Sequence, residues 1–478
     1  MSINNISNSL IWRSIEGIGV NGVQFITQMI LARILMPEDF GIIAILNIFV
    51  SIGNTLVHNG LSSALIQKKK ATEEDFSTVF FTEFIIAIIA YFFIYIYSPI
   101  IANYYDDLRI IKYLRIFSVT IIIAPIGSMQ LTVLRYRLDF KSSCIANMIS
   151  IFIQCGAGIL LAVYGYRIWS LIYSQIIYRL SCTILLYCFA KWNPSLCFSL
   201  KQLKILFRYS WKLTLGWLIG NVYNDFFSII IGKVYSKLQL GYYAKGNTIP
   251  SVFNRIISQI TTGVMFPVIS KEQDNINNVL LTTRQMISIT SIIVFPLMTF
   301  IGATANEYVL LFLTEKWMPI VPIIQIFCIP FAINAVNNAN MQTFNALGRS
   351  DIFLKVEIIK RALTIILVII FAKINFYLMI SAIAFMGVIS LLINSLYNNI
   401  LLKYKINQFV FDLMPGIIVS ICVMVIIQLL NYLKLETQYL LIINIVSCGL
   451  FYLLLILLKI DSNFSLINKS IYNLIVKK

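Results

Sequence analysis

The chain has 478 residues, of which 59% are apolar and only 12% charged, with a mean hydropathy of +0.85 and a formal net charge of +17. A water-soluble domain carries about a quarter charged residues, so this composition excludes a soluble enzyme and belongs to a polytopic membrane protein. The positive balance is not a sign of nucleic-acid binding, because Lys and Arg collect in the cytoplasmic loops of membrane proteins.

Met1 to Leu10 lack a basic stretch ahead of an apolar run and a small-residue cleavage site, so no cleaved signal peptide is expected. Apolar runs of about 20 residues then place spanning helices at 9–32, 40–66, 78–101, 112–136, 142–164, 168–190, 209–232, 240–268, 282–304, 321–346, 352–372, 376–402, 412–433 and 438–458. With a cytoplasmic N-terminus, the inner loops and tail hold 22 Lys and Arg and the outer loops 9, which supports both termini inside. The eight cysteines are scattered singly and read as small buried residues, with no metal site and no cofactor expected.

The middle of the chain reads as a second beginning. Shifted forward by 200 positions, Asn21 falls on Asn221, Gly41 on Gly241, Ala44 on Ala244, Asn47 on Asn247, Ser51 on Ser251 and Asn54 on Asn254. Helices one and two therefore match seven and eight, which makes the repeat six helices long and the two copies parallel. The expected fold is all-α and polytopic, with about 14 transmembrane helices as two six-helix repeats plus two. The expected division is 1–194 for the first bundle, 195–208 for a cytoplasmic interfacial linker, 209–405 for the second bundle, 406–460 for two additional helices and 461–478 for a cytoplasmic tail. Along 201–212, Lys201, Lys204, Arg208 and Lys212 share one helical face, as suits a segment lying at headgroup level.

No connection is long enough to fold an extramembrane catalytic domain, and no nucleotide fingerprint, metal-ligand cluster or nucleophile elbow is present, so no enzyme is expected. The one histidine, His58, is either a polar packing contact or a proton relay. What remains is charge inside the membrane, which is expensive and faces a bundle interior or a wet cavity. Arg13, Glu16, Glu83, Arg115, Arg179, Lys212, Asp225, Lys245 and Arg255 make up this set. Arg13 and Glu16 read equally as an i,i+3 ion pair, while Glu83 and Arg115 lie near helix ends, where long side chains can snorkel and no function is assigned.

Amides accompany these charges: Asn21, Gln24 and Gln28 in helix one, Asn47 and Asn54 in two, Asn221 and Asn224 in seven, Asn247 and Asn254 in eight, and Asn334, Asn337, Asn338 and Asn340 in ten. These stripes are too polar for lipid and are expected to line a central cavity between the two bundles. Cations outnumber carboxylates there, which suits a phosphate, and amide walls suit sugar hydroxyls. Arg13, Lys212, Lys245, Arg255, Asn21, Asn221 and Asn224 are the expected substrate-binding residues, and Glu16 and Asp225 the possible coupling-ion carboxylates.

The run Ala32-Arg33-Ile34-Leu35-Met36-Pro37-Glu38-Asp39-Phe40-Gly41 resembles the A-R-x-L-x-P-x-D-F-G corner of bacterial polysaccharide exporters. Residues 59–69, 135–141 (Arg135-Tyr136-Arg137-Leu138-Asp139-Phe140-Lys141) and 165–171 also look like that family, the Wzx-type flippases of a superfamily that includes the lipid II flippase and the multidrug and toxin extruders. The resemblance implies translocation of an undecaprenyl-diphosphate-linked oligosaccharide to the outer leaflet by alternating access, driven by an ion gradient or the membrane potential. It implies the bacterial inner membrane as location, lipids as surroundings, and a polysaccharide polymerase and chain-length machinery as partners. The alternative is a cation-coupled multidrug extruder of the same superfamily, for which acidic rather than basic cavity residues are the expected mark.

Overall fold

The computed structural model describes residues 3–58, 60–68, 71–272, 275–433 and 436–457. The expected tail at 461–478 lies outside them. Among the described residues the secondary structure is entirely helical: α1 (Ile3–Ile34), α2 (Pro37–Val57), α3 (Leu61–Gln67), α4 (Glu73–Tyr104), α5 (Arg109–Phe117), α6 (Val119–Tyr136), α7 (Phe140–Val163), α8 (Ile168–Ala190), α9 (Leu200–Val234), α10 (Lys237–Lys271), α11 (Ile276–Ala303), α12 (Ala305–Tyr308), α13 (Val321–Ala346), α14 (Ser350–Ala372), α15 (Phe376–Leu402), α16 (Ile406–Asn431) and α17 (Thr437–Leu457). A π turn (Val309–Leu313) and a 3-10 turn (Glu315–Ile320) join α12 to α13.

Helices cover all fourteen expected segments, with α2 and α3 sharing one and α5 and α6 another. Ten of the described helical segments are long and apolar enough to cross a bilayer. The chain is a multi-pass membrane protein. The long helices outside that set are α1, α9, α10 and α14, and the first three carry the polar stripes of the repeat. The basic segment at 201–208 is continuous with the seventh expected helix, because Leu200–Val234 runs unbroken for 35 residues from a Ser199 cap.

The helix starts follow from local chemistry. Thr72 and Asp75 form a reciprocal capping box at α4, and Lys68 pairs with the fully buried Asp75 at 2.6 Å. At α2, Pro37 occupies the first turn, where its missing N–H costs nothing, and Asp39 accepts from the Met36 amide at 3.1 Å. Between α2 and α3 the chain turns at Gly60 with φ +72°. A side chain there would lie 3.1 Å from the Ser210 carbonyl, so both the conformation and the close approach of α9 require glycine.

The chain forms two compact units, Met1–Gly241 and Tyr242–Lys478. In the first, α1 packs on α7, α7 and α6 on α8, α4 on α6, and α2 along α9. In the second, α11 is flanked by α13 and α16, α13 and α14 pack on α15, and α17 packs on α16. Hydrocarbon offers no solvophobic gain for joining helices, so close packing and buried hydrogen bonds hold such bundles.

The α1–α2 and α9–α10 corners, equivalent in the repeat, meet each other. Arg109 bonds Asp107 and Glu38, each at 2.9 Å, Lys237 bonds Asp107 at 2.8 Å, and Lys233 bonds Asp106 at 3.2 Å. Burial alone pushes the Asp107 carboxyl up, but hydrogen bonds from Arg109 and Lys237 outweigh it and hold the group down at about 2.

Two charges expected to snorkel do something else. Glu83 is fully buried, and its carboxylate accepts from the Ser62 hydroxyl at 2.9 Å and the Ser128 hydroxyl at 3.0 Å. Its place one side of α4 faces α3 and α6 rather than a helix end, and the two hydroxyls replace the water that snorkelling would have reached. Arg115 lies over the Tyr95 ring at 4.0 Å and donates to Ser98 at 3.0 Å, so packing holds its guanidinium.

Candidate functional site

The polar faces of α1 and α2 meet inside the first unit around a cavity of about 480 Å3. Gln24 and Gln28 of α1, Asn47, Ser51 and Asn54 of α2, Gln154 of α7, and Gln175, Tyr178 and Arg179 of α8 line it, with Phe117 and Thr120. Periodicity explains the arrangement: positions 24 and 28, 47, 51 and 54, and 175 and 179 repeat at three or four residues and so share one face of each helix. The cavity narrows toward Leu31, Thr27 and Cys155, where the Thr27 hydroxyl donates to the Cys155 sulfur at 2.8 Å. None of its described lining residues is an Asp or Glu.

Ser51 and Asn54 also border a second space of about 510 Å3, between α2 and α9, which Thr55, His58, Trp217, Asn221 and Asn224 complete. Here the two copies of the repeat touch through polar groups. The Asn221 amide donates to the Thr55 hydroxyl at 2.7 Å, and the Ser51 hydroxyl donates to the Asp225 carboxylate at 2.7 Å. His58 borders this space and is half-buried, and no group of three His, Cys, Asp or Glu side chains that could hold a metal ion occurs among the described residues.

The other expected site residues distribute as follows. Glu16 accepts a hydrogen bond from Asn147 of α7, and the Asn147 oxygen in turn receives Tyr178 at 3.4 Å and Cys182 at 3.2 Å, which ties Glu16 to the wall of the first cavity. Asn21 is exposed and donates to its own helix at the Gly17 carbonyl, 2.6 Å away. Lys212 is exposed beside the Trp211 ring. The side chain of Arg13 lies outside the described residues. In the second unit Lys245 is buried, whereas Arg255 is exposed.

The asparagines of α13 do not act as one stripe. Asn337 accepts from Asn394 at 2.9 Å, Asn340 accepts from Asn398 at 2.9 Å, and all four are buried between α13 and α15. Amides paired this way join neighbouring helices. Sequence spacing flags such residues as polar but does not say whether their partner is a ligand or a neighbouring helix. Arg179, Gln175 and Gln154 are the lining residues that sequence reasoning left without a role. For Gln175 and Arg179 the signal was the four-residue spacing of polar groups on the sixth expected helix; Gln154, on the fifth, gave none.

The second unit carries an apolar groove of about 640 Å3 between α11, α13 and α16, lined by Phe295, Met298, Ile329, Ile333, Ile417, Ile421 and Met424 among others. Arg284 of α11 fixes α16 beside it with two bonds to Asp412, at 2.7 and 2.9 Å, and Tyr404 adds a third at 2.6 Å.

Comparison with known proteins adds the following. Residues 30–322 match the family model described as "Polysaccharide biosynthesis protein". The chain is 24% identical over 346 residues to the teichuronic acid biosynthesis protein TuaB of Bacillus subtilis (strain 168), covering 71% of each. It is 22% identical over 360 residues to the lipopolysaccharide biosynthesis protein WzxC of Escherichia coli (strain K12), covering 74% of this chain and 72% of that one. Its fold is similar to a solved structure of the lipid II flippase MurJ in an inward closed conformation, with a TM-score of 0.70, 16% identity and 100% of both chains covered.

Proposed function

Because the chain belongs to the polysaccharide biosynthesis protein family, we propose that it is a flippase that carries an undecaprenyl-diphosphate-linked oligosaccharide from the cytoplasmic to the outer leaflet by alternating access. The observation that carries this reading is the amide-lined cavity inside an apolar helical body, since amides offer donors and acceptors together, as sugar hydroxyls require. The names of the relatives in teichuronic acid and lipopolysaccharide biosynthesis favour the same substrate class.

In this reading Arg13, Lys212, Lys245 and Arg255 neutralise the diphosphate, and Asn21, Asn221 and Asn224 bind sugar. Glu16 and Asp225 are the coupling carboxylates, Asp225 acting through its bond to Ser51. The apolar groove beside α16 has the chemistry to shelter an isoprenoid chain while the head group crosses. The six-plus-six-plus-two plan supplies two bundles that rock against each other, in the bacterial inner membrane with both termini cytoplasmic. A polymerase and chain-length machinery receive the product outside.

The test is a deletion strain complemented with variants at matched expression. Loss of the protein should leave lipid-linked repeat units on the inner leaflet and remove the surface glycan. Arg255→Ala and Lys212→Ala should each reduce the glycan several-fold, and an undiminished surface glycan in the deletion strain would refute the flippase reading.

A further inference from the structure

Among the described residues that line the cavity of the first unit there is a single cation, Arg179. Arg179 lies mid-way along α8 and lines the cavity, yet it makes no ion pair and no hydrogen bond with any described residue. Gln24, Asn47, Gln154 and Gln175 around it are likewise without hydrogen-bond partners among the described residues. Asn54 is half-buried, and its side-chain oxygen is buried without a partner. Gln24 and Asn47 are exposed at this space and Asn54, Gln154, Gln175 and Arg179 half-buried, so the amides are open to a ligand, and a lone cation within a membrane-spanning body favours a counter-charge.

We infer that this cavity is a recognition pocket for one acidic monosaccharide of the transported glycan, with Arg179 pairing its carboxylate and the amides its hydroxyls. The inference rests on the flippase reading and adds the substrate's charge to it. A carboxylate bears one negative charge and presents two oxygens in the plane that a guanidinium fork matches. A diphosphate diester bears two, and the described lining residues supply no second cation to meet it. The volume of about 480 Å3 falls in the range of small-ligand pockets and holds a sugar residue with its nearest neighbour. Water alone would satisfy the amides but would leave the guanidinium without a counter-charge.

The experiment uses the full-length protein in lipid nanodiscs, titrated with D-glucuronate, D-glucose and inorganic pyrophosphate as separate probes, with affinity read by calorimetry or by thermal shift. Glucuronate should bind more tightly than glucose, and Arg179→Gln should weaken glucuronate at least about tenfold while leaving glucose unchanged. Gln154→Leu should weaken both sugars, which keeps the test alive if the Arg179 variant fails to fold. Equal glucuronate affinity in wild type and Arg179→Gln overturns the proposal. So does pyrophosphate binding that depends on Arg179 as strongly as glucuronate binding does. A parallel translocation assay in proteoliposomes separates the two readings. Arg179-dependent glucuronate binding without translocation removes the flippase and keeps the pocket. Translocation of a lipid-linked saccharide without Arg179-dependent binding removes the pocket and keeps the flippase.

Discussion

Gly41 and Gly241 hold the same place in the two copies of the repeat, and in the folded chain their backbones touch. A Cβ on Gly41 would lie 1.8 Å from the Lys237 carbonyl oxygen, and one on Gly241 would lie 1.9 Å from the Pro37 carbonyl oxygen, with each also 3.1 Å from the other glycine's nitrogen. The four positions 37, 41, 237 and 241 thus form a self-complementary contact of the kind two-fold symmetry generates.

No side chain fits at this crossing without moving backbone. Gly41→Ala and Gly241→Ala should each cost about 1–3 kcal/mol, the usual scale of overpacking. The double variant should cost less than the two losses added, since one separation of the helices relieves both clashes. Denaturant unfolding of the purified protein measures this, and an alanine variant as stable as wild type would mean the helices do not meet in this way.

The corner charges predict a pH dependence. Asp107 is held at about 2, below its ordinary value of 3.8, so its stabilising effect is fully present above the ordinary value and fades as pH falls through the lower one. Asp107→Asn should therefore lower stability at neutral pH by on the order of 1 kcal/mol, and the gap to wild type should close as pH approaches the lower value. Melting both proteins across the acid range checks the sign. A gap that widens in acid would contradict the assignment.

Glu83 supplies a third test. Glu83→Leu leaves the Ser62 hydroxyl without its carboxylate acceptor and Ser128 with only the Pro125 carbonyl at 3.1 Å, and should cost about 1–3 kcal/mol. In a Ser62→Ala, Ser128→Ala background the same change should cost clearly less, because no donor is then stranded. Equal costs in the two backgrounds would show that the carboxylate is not what the serines serve.

At the second unit, Arg284→Lys replaces a two-pronged bond to Asp412 with a point charge. A loss of about 1 kcal/mol is expected, with α16 becoming more open to hydrogen exchange while α1 to α8 are unaffected. Uniform loosening of both units would argue against a local anchor.

Much of the fold was legible because the bilayer imposes a length on each helix and the repeat fixes the order. The limits of the reading are equally specific. Asn47 and Gln24 announce a wet face, but only packing brings Arg179 of α8 opposite them. Glu83 and Asn340 look like cavity or surface residues by type, yet in the interior two hydroxyls meet the Glu83 carboxylate and the Asn398 amide meets the Asn340 oxygen. Position along a helix gives depth and face, and the partner across the gap comes from tertiary contact alone.

The amide walls of the first cavity have an electrical consequence. Moving one elementary charge through the membrane potential takes about 2.3 kcal/mol per 100 mV. Among the described residues lining this cavity only Arg179 carries a permanent charge, so on the proposed cycle its reorientation when empty displaces little charge against the field. A bound acidic sugar cancels even that charge. The voltage then acts chiefly on the diphosphate and on the carboxylates beyond the cavity wall, which leaves sugar recognition itself nearly indifferent to the energised state of the membrane.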